Sequence, residues 1–179
     1  MTRIDRPCLV VIDVQERLMA VMEGKDRLLH KIPILLQAAR ILQVPIVWLQ
    51  QRPQALGPTV PQIEAHLQGI GPIDKMCFSA WACPQFRLRL QELAVRSAII
   101  CGIEAHVCVY QTVADLLRHG VEVHVVVDAI SSRSEQDRQT AIWRMATEGV
   151  RLTTTEMVLL ELLETADHPA FKEVSRLIK

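Results

Sequence analysis

The sequence predicts one α/β domain, a three-layer α/β/α sandwich built on a six-stranded parallel sheet. Two observations carry that prediction. Short β-branched and aliphatic runs alternate with longer segments of helical periodicity, the pattern of βαβ units whose strands are covered on both faces. The chain has 179 residues, 50% of them hydrophobic, which suits a single domain spanning residues 1–179 that needs no disulfide staples.

The elements follow in order. Residues 8–14 (CLVVIDV) read as a buried first strand. Beyond Gly24, Leu28, Leu29, Ile32, Leu35, Leu36, Ala39 and Leu42 recur at helical spacing. A helix is therefore predicted over about residues 25–42, with Pro33 as a point of kinking or restart. Pro45 introduces a second strand at 46–49. Residues 50–71 are punctuated by Pro and Gly and read as an ordered surface loop with one short helix. A weak strand near Ile73 leads into Asp74-Lys75, and a helix is predicted over about 84–95. The fourth strand is AIIC at 98–101, closed by Gly102. A helix from about residue 106 to 118 stops at His119-Gly120, because glycine just past a last turn readily adopts the left-handed conformation. Residues 121–127 (VEVHVVV) form strand five, Ser134 is the N-cap candidate of a helix to residue 147, and 150–153 form strand six. Helical patterns return at 156–164 and 169–178. No GxGxxG follows the first strand, so the doubly wound, Rossmann-like topology is predicted without a dinucleotide fingerprint.

Composition narrows the partners. The 20 Lys and Arg balance the 20 Asp and Glu, with no long run of one sign, which argues against nucleic acid, since phosphate neutralisation needs clustered cations. A small-molecule substrate is expected instead, with surfaces compatible with a homo-oligomer. The apolar run 7–12 is too short for a signal-peptide core, and no stretch approaches bilayer length. The expectation is a cytoplasmic protein without a membrane partner, its thiols reduced. Cys8, Cys77, Cys83, Cys101 and Cys108 are odd in number and form no CxxC pair, so neither a disulfide framework nor a zinc ribbon is indicated. The histidines are scattered without an HxxxH pair, and neither metal nor other cofactor is expected.

Ligands of open α/β sheets bind at the carboxyl ends of the strands. Three reactive side chains are predicted there: Asp13 after strand one, Lys75 after strand three and Cys108 after strand four, at a helix start. A cysteine in a first helical turn faces unpaired N–H groups and the positive dipole end, which favour thiolate and can also hold an oxyanion. The alternative for Cys108 is a buried apolar thiol; for Asp13, a cap on the next helix; for Lys75, a solvated lysine. As a set, the carboxylate moves a proton, the ammonium holds it and the thiol attacks. Asp115, Asp128 and His124 are secondary candidates within or beside the later elements. His106-x-Cys108 invites a dyad, but residues two apart on a helix point apart, so a structural or capping His106 is preferred. Phe78 and Trp81 either line a pocket or pack in the core.

The motifs VIDVQ at 11–15, DKMCFSAW at 74–81 and GIEAHVCVYQTVADLLRHGVEVHVVVDAISSRS at 102–134 resemble the isochorismatase-like cysteine hydrolase family, most of all its isochorismatase-domain-containing branch. The similarity extends through 49–63, 153–163 and 167–179. The resemblance implies a triad of Asp13, Lys75 and Cys108. It also implies a cis peptide between Ile103 and Glu104 that aims the Glu104 and Cys108 N–H groups at the oxyanion. Gln15, Phe78 and Trp81 are the weaker candidates for substrate contacts. Two departures bear on substrate. The nicotinamidases of the family carry an Asp and histidines as a metal site after the second strand, where this chain has Trp48-Leu-Gln-Gln-Arg-Pro. Isochorismatases act on a vinyl ether without needing the cysteine, which is intact here.

The expected activity is cysteine-dependent cleavage of a C–N bond in a small amide or carbamoyl compound. The alternatives are vinyl-ether hydrolysis with Asp13 as acid, and a non-catalytic, redox-responsive assembly module.

Overall fold

The computed structural model describes residues 4–179. The first half comprises β1 (Pro7–Ile12), α1 (Glu16–Met19), α2 (Lys25–Ile41), β2 (Ile46–Gln51), α3 (Pro53–Leu56), α4 (Pro61–Glu64) and β3 (Ile73–Lys75). A 3-10 turn (Ala80–Ala82) leads to α5 (Pro84–Glu92) and β4 (Ser97–Ile103). A π-turn (Ala105–Val109) opens α6 (Tyr110–Arg118), and β5 (Glu122–Ser131), α7 (Glu135–Thr147), β6 (Arg151–Thr153), α8 (Thr155–Leu163) and α9 (Phe171–Leu177) complete the chain.

The strands form one sheet of order β3-β2-β1-β4-β5-β6, and every neighbouring pair is parallel. This is the predicted six-stranded three-layer sandwich. Period-two alternation divides the core in two. Leu9 and Val11 of β1 pack with Leu28, Ile32 and Leu35 of α2, Val158 and Leu159 of α8 and Val174 of α9. Cys8, Val10 and Ile12 face the other way, onto Phe86 and Leu90 of α5, Val113 and Leu116 of α6 and Met145 of α7. With both faces covered, β1 is buried almost end to end. Its neighbours are β2 on one side and β4 on the other, so the strand order reverses there, and the carboxyl ends of β1 and β4 are where the ligand crevice of such a sheet lies.

Several elements differ from the sequence reading. β1 stops at Ile12 because Asp13 turns into the left-handed region at φ 52, which a short polar side chain tolerates. β4 runs from Ser97 to Ile103, and β5 reaches Ser131, so Asp128 lies inside the strand; its carboxylate accepts from the Thr155 N–H and hydroxyl at the start of α8. The loop after β2 holds two short helices, each begun by proline. α2 passes through Pro33 without interruption, the Gln37 amide donating to the Pro33 carbonyl. The predicted Ser134 cap is present, its hydroxyl accepting from the Asp137 N–H at 3.1 Å. Among the described residues, no helix is long and apolar enough to cross a membrane.

Candidate active site

Asp13 follows β1 at this carboxyl edge, and β3 delivers Lys75 to the same point. The Lys75 ammonium donates to Asp13 Oδ2 at 2.7 Å, and neither side chain exposes any surface. A buried ion pair is retained only where further hydrogen bonds complete it. Lys75 Nζ has these: Gln51 Oε1 at 2.8 Å, and the carbonyls of Cys77 and Phe78 at 3.4 Å. Asp13 Oδ1 is buried and makes no conventional hydrogen bond. The thiol of Cys108, 6% exposed, is the polar group interacting with the carboxylate from the helix side.

Gly102 brings the third group in. It sits opposite Ile12 in the β1–β4 register, at φ +118, where a Cβ would fall 2.1 Å from the Ile12 carbonyl oxygen. Only glycine allows β4 to run this close to the end of β1. Beyond it the Ile103–Glu104 peptide bond is cis. The Val107 and Val109 N–H groups then both close on the Glu104 carbonyl, placing Cys108 within the opening turn. Glu104 is itself fixed by Arg133, whose Nε donates to Oε2 at 2.8 Å.

The electrostatics differ from the sequence expectation. A helix start was expected to favour thiolate, but burial pushes the Cys108 thiol up to about 12; the Asp13 charge adds to the shift and Lys75 opposes it. Desolvation is the largest cause, because burial disfavours the charged form of the thiol. Burial also raises the Asp13 carboxyl above the usual carboxylate range, against the pull of Lys75. A carboxylate so raised is a stronger proton acceptor, and it lies beside the thiol that must lose a proton.

The structure thus brings Asp13, Lys75 and Cys108 together and leaves the weaker candidates apart. Gln15 is fully buried, and its amide is committed to backbone: Nε2 donates to the Gln51 and Gly57 carbonyls, and Oε1 accepts from the Gln51 N–H. It ties β1 to β2, with both amide protons engaged by backbone carbonyls. Trp81 stacks on His119 with ring centroids 4.2 Å apart. Phe78 is 53% exposed and lends Lys75 only its carbonyl. His106 faces Ser132, Nδ1 to Oγ 2.9 Å, in a structural role. His124 is buried beside Glu122, at the opposite end of β5 from the crevice. Asp115 accepts from Ser79 and pairs with Arg118, fastening the segment after β3 to α6. Gln51 was missed by sequence reasoning, and the only signal for it is register: Gln51 pairs with Lys75 across β2 and β3. Among the described residues, no three His, Cys, Asp or Glu side chains gather as a metal site.

Residues 7–157 match the family model described as the isochorismatase domain. The chain is 42% identical over 171 residues to isochorismatase domain-containing protein 2 of Homo sapiens, covering 96% of this chain and 82% of that one. Among solved structures it is 41% identical to the MAR1 ribonuclease of Caenorhabditis elegans, with a TM-score of 0.92 over 99% of this chain and 91% of the other. The YcaC protein of Escherichia coli, described as an octameric hydrolase of unknown specificity, shares the fold at 23% identity and a TM-score of 0.92, over 99% of this chain and 90% of that one.

Proposed function

The chain belongs to the isochorismatase family, and from that premise we propose that it is a cysteine hydrolase cleaving a C–N bond of a small amide or carbamoyl compound. The observation that carries this reading is the fully buried Lys75–Asp13 pair in the field of the Cys108 thiol. In the proposed reaction the Asp13 carboxylate takes the Cys108 proton as the sulfur bonds to the substrate carbonyl carbon. The Glu104 and Cys108 N–H groups hold the resulting oxyanion. Collapse breaks the C–N bond, and Asp13 passes its proton to the departing nitrogen. Water then attacks the thioester, giving a proton to Asp13; the acid is released and the proton returns to sulfur. Lys75 keeps Asp13 oriented and balances its charge throughout. A thiol raised by burial suits this scheme, since the proton moves only when a carbonyl is in place.

A net charge of zero favours a small substrate over a polyanion. Self-association belongs to the same reading, because Trp143, Met157 and Leu160 are large apolar side chains exposed on α7 and α8.

The test is turnover by the wild type and Cys108→Ala on a panel of small amides, carbamoyl compounds, a vinyl ether and, given the name of the C. elegans relative, RNA. Amide or carbamoyl hydrolysis that falls more than about a thousandfold in the variant is expected. Vinyl-ether cleavage surviving in Cys108→Ala, RNA cleavage alone, or no turnover with a peroxide-sensitive oligomer would each replace the proposal.

A further inference from the structure

Lys75 can orient Asp13 only if something orients Lys75. An ammonium has three protons, and here two find short bonds, to Asp13 at 2.7 Å and Gln51 at 2.8 Å; the carbonyls of Cys77 and Phe78 lie at 3.4 Å. Gln51 is therefore the one close partner besides the carboxylate. It is 6% exposed and held at each polar atom. Its Nε2 donates to the Met76 carbonyl at 2.9 Å, its N–H donates to Gln15 Oε1, and its carbonyl accepts from Gln15 Nε2. The Gln15 amide is anchored in turn on Gly57. A chain of fixed amides thus runs from the loop after β2 through Gln15 and Gln51 to the ammonium. The titratable groups facing that ammonium are Asp13, after β1, and Cys108, in the turn before α6.

We propose that Gln51 is a positioning residue that aims the Lys75 ammonium at Asp13. This inference rests on the triad reading above and adds a residue to it. A glutamine suits the task because its oxygen accepts from the ammonium without neutralising it, so the whole positive charge acts on Asp13 and Cys108. A carboxylate at this position would compete with Asp13 for Lys75, and an apolar side chain would leave the ammonium to drift toward the Cys77 and Phe78 carbonyls. Either change weakens the influence that favours ionisation of the thiol.

The experiment uses the full chain and needs no substrate. Cys108 alkylation by iodoacetamide is followed by intact mass and peptide mapping from pH 6 to 10 in wild type, Gln51→Met and Gln51→Glu, with thermal unfolding of each protein as the control for fold. Both variants match glutamine in length, so differences report the acceptor and its charge. Cys108 alkylation is expected to slow by about 10- to 100-fold in both variants, with its pH profile displaced to higher pH while the proteins remain folded. Where a turned-over amide is in hand, kcat should fall by a similar factor with KM nearly constant. An unchanged Cys108 profile in folded Gln51→Glu overturns the proposal, as does slowing with no displacement of the pH profile. Failure of the wild type to hydrolyse any amide would count against the proposed function and leave the alkylation result to decide the role of Gln51.

Discussion

Asp13 and Lys75 act on the Cys108 thiol with opposite signs, the carboxylate raising its pKa and the ammonium lowering it. Asp13→Asn separates the two. The amide oxygen can still accept from Lys75, but the negative charge beside the thiol is gone while the positive one remains. Thiolate then forms more easily even as the base is lost. Cys108 alkylation at pH 7 is expected to speed up, whereas hydrolysis falls by about 10²- to 10⁴-fold. Parallel loss of both would show that Asp13 acts on Cys108 through structure alone. The same residues show how far chemistry could be read from sequence. That Asp13, Lys75 and Cys108 come together was legible because each is a reactive type at a predicted strand end. The burial that raises the Cys108 thiol was not, because a helix start announces its dipoles while burial depends on what packs above it. Gln51 was illegible for a simpler reason: it is an amide in a buried strand, and only the β2–β3 register sets it beside Lys75.

At the level of elements, β1 and β4 must meet closely for Asp13 and Cys108 to share a crevice, and Gly102 is the contact that permits it. A methyl group there would collide with the Ile12 carbonyl at 2.1 Å, on backbone at φ +118 that side chains rarely adopt. Neither strand can yield alone, since Ile12 and Gly102 are register partners in the middle of the sheet. Gly102→Ala is expected to cost about 3 kcal/mol or more, from backbone strain and overpacking together. Urea unfolding measures it, and a loss below about 1 kcal/mol would mean that β4 can move away from β1. The sequence marked Gly102 as the end of a strand, whereas it lies within one and is followed by Ile103. Elements ended by local chemistry were read well, as with Ser134 before α7 and His119-Gly120 after α6. Elements ended by distant partners were not. β5 continues through Asp128 and Ser131 because Asp128 bonds Thr155 and Ser131 donates to the Glu23 carbonyl, contacts with no trace in the adjoining sequence.

For the molecule as a whole, the same two strands set its response to alkali. Cys8 in β1 and Cys101 in β4 are both fully buried, on opposite faces of the sheet. Burial pushes the Cys8 thiol up to about 12 and raises that of Cys101 as well. In the unfolded chain each titrates near its ordinary value of about 8.5. Below that value both states hold the proton, and the stabilising effect of the neutral, buried thiol is complete. Above it the unfolded chain ionises and the folded one does not, so stability falls as pH rises, for Cys8 until about 12. Each thiol contributes a slope of about 1.4 kcal/mol per pH unit over that window. From pH 8.5 to 10 the pair accounts for about 4 kcal/mol. Replacing both, as Cys8→Ala with Cys101→Ala, costs stability at neutral pH by opening cavities, yet flattens the alkaline decline. Lysine and tyrosine titrations are common to both proteins and cancel in the comparison. Urea unfolding under reducing conditions at pH 7.5 and 10 should therefore show the wild type losing about 4 kcal/mol more than the double variant between the two pH values. Equal losses would mean that these thiols ionise inside the fold, and with them the premise that the sheet core excludes charge would fail at Cys108 too.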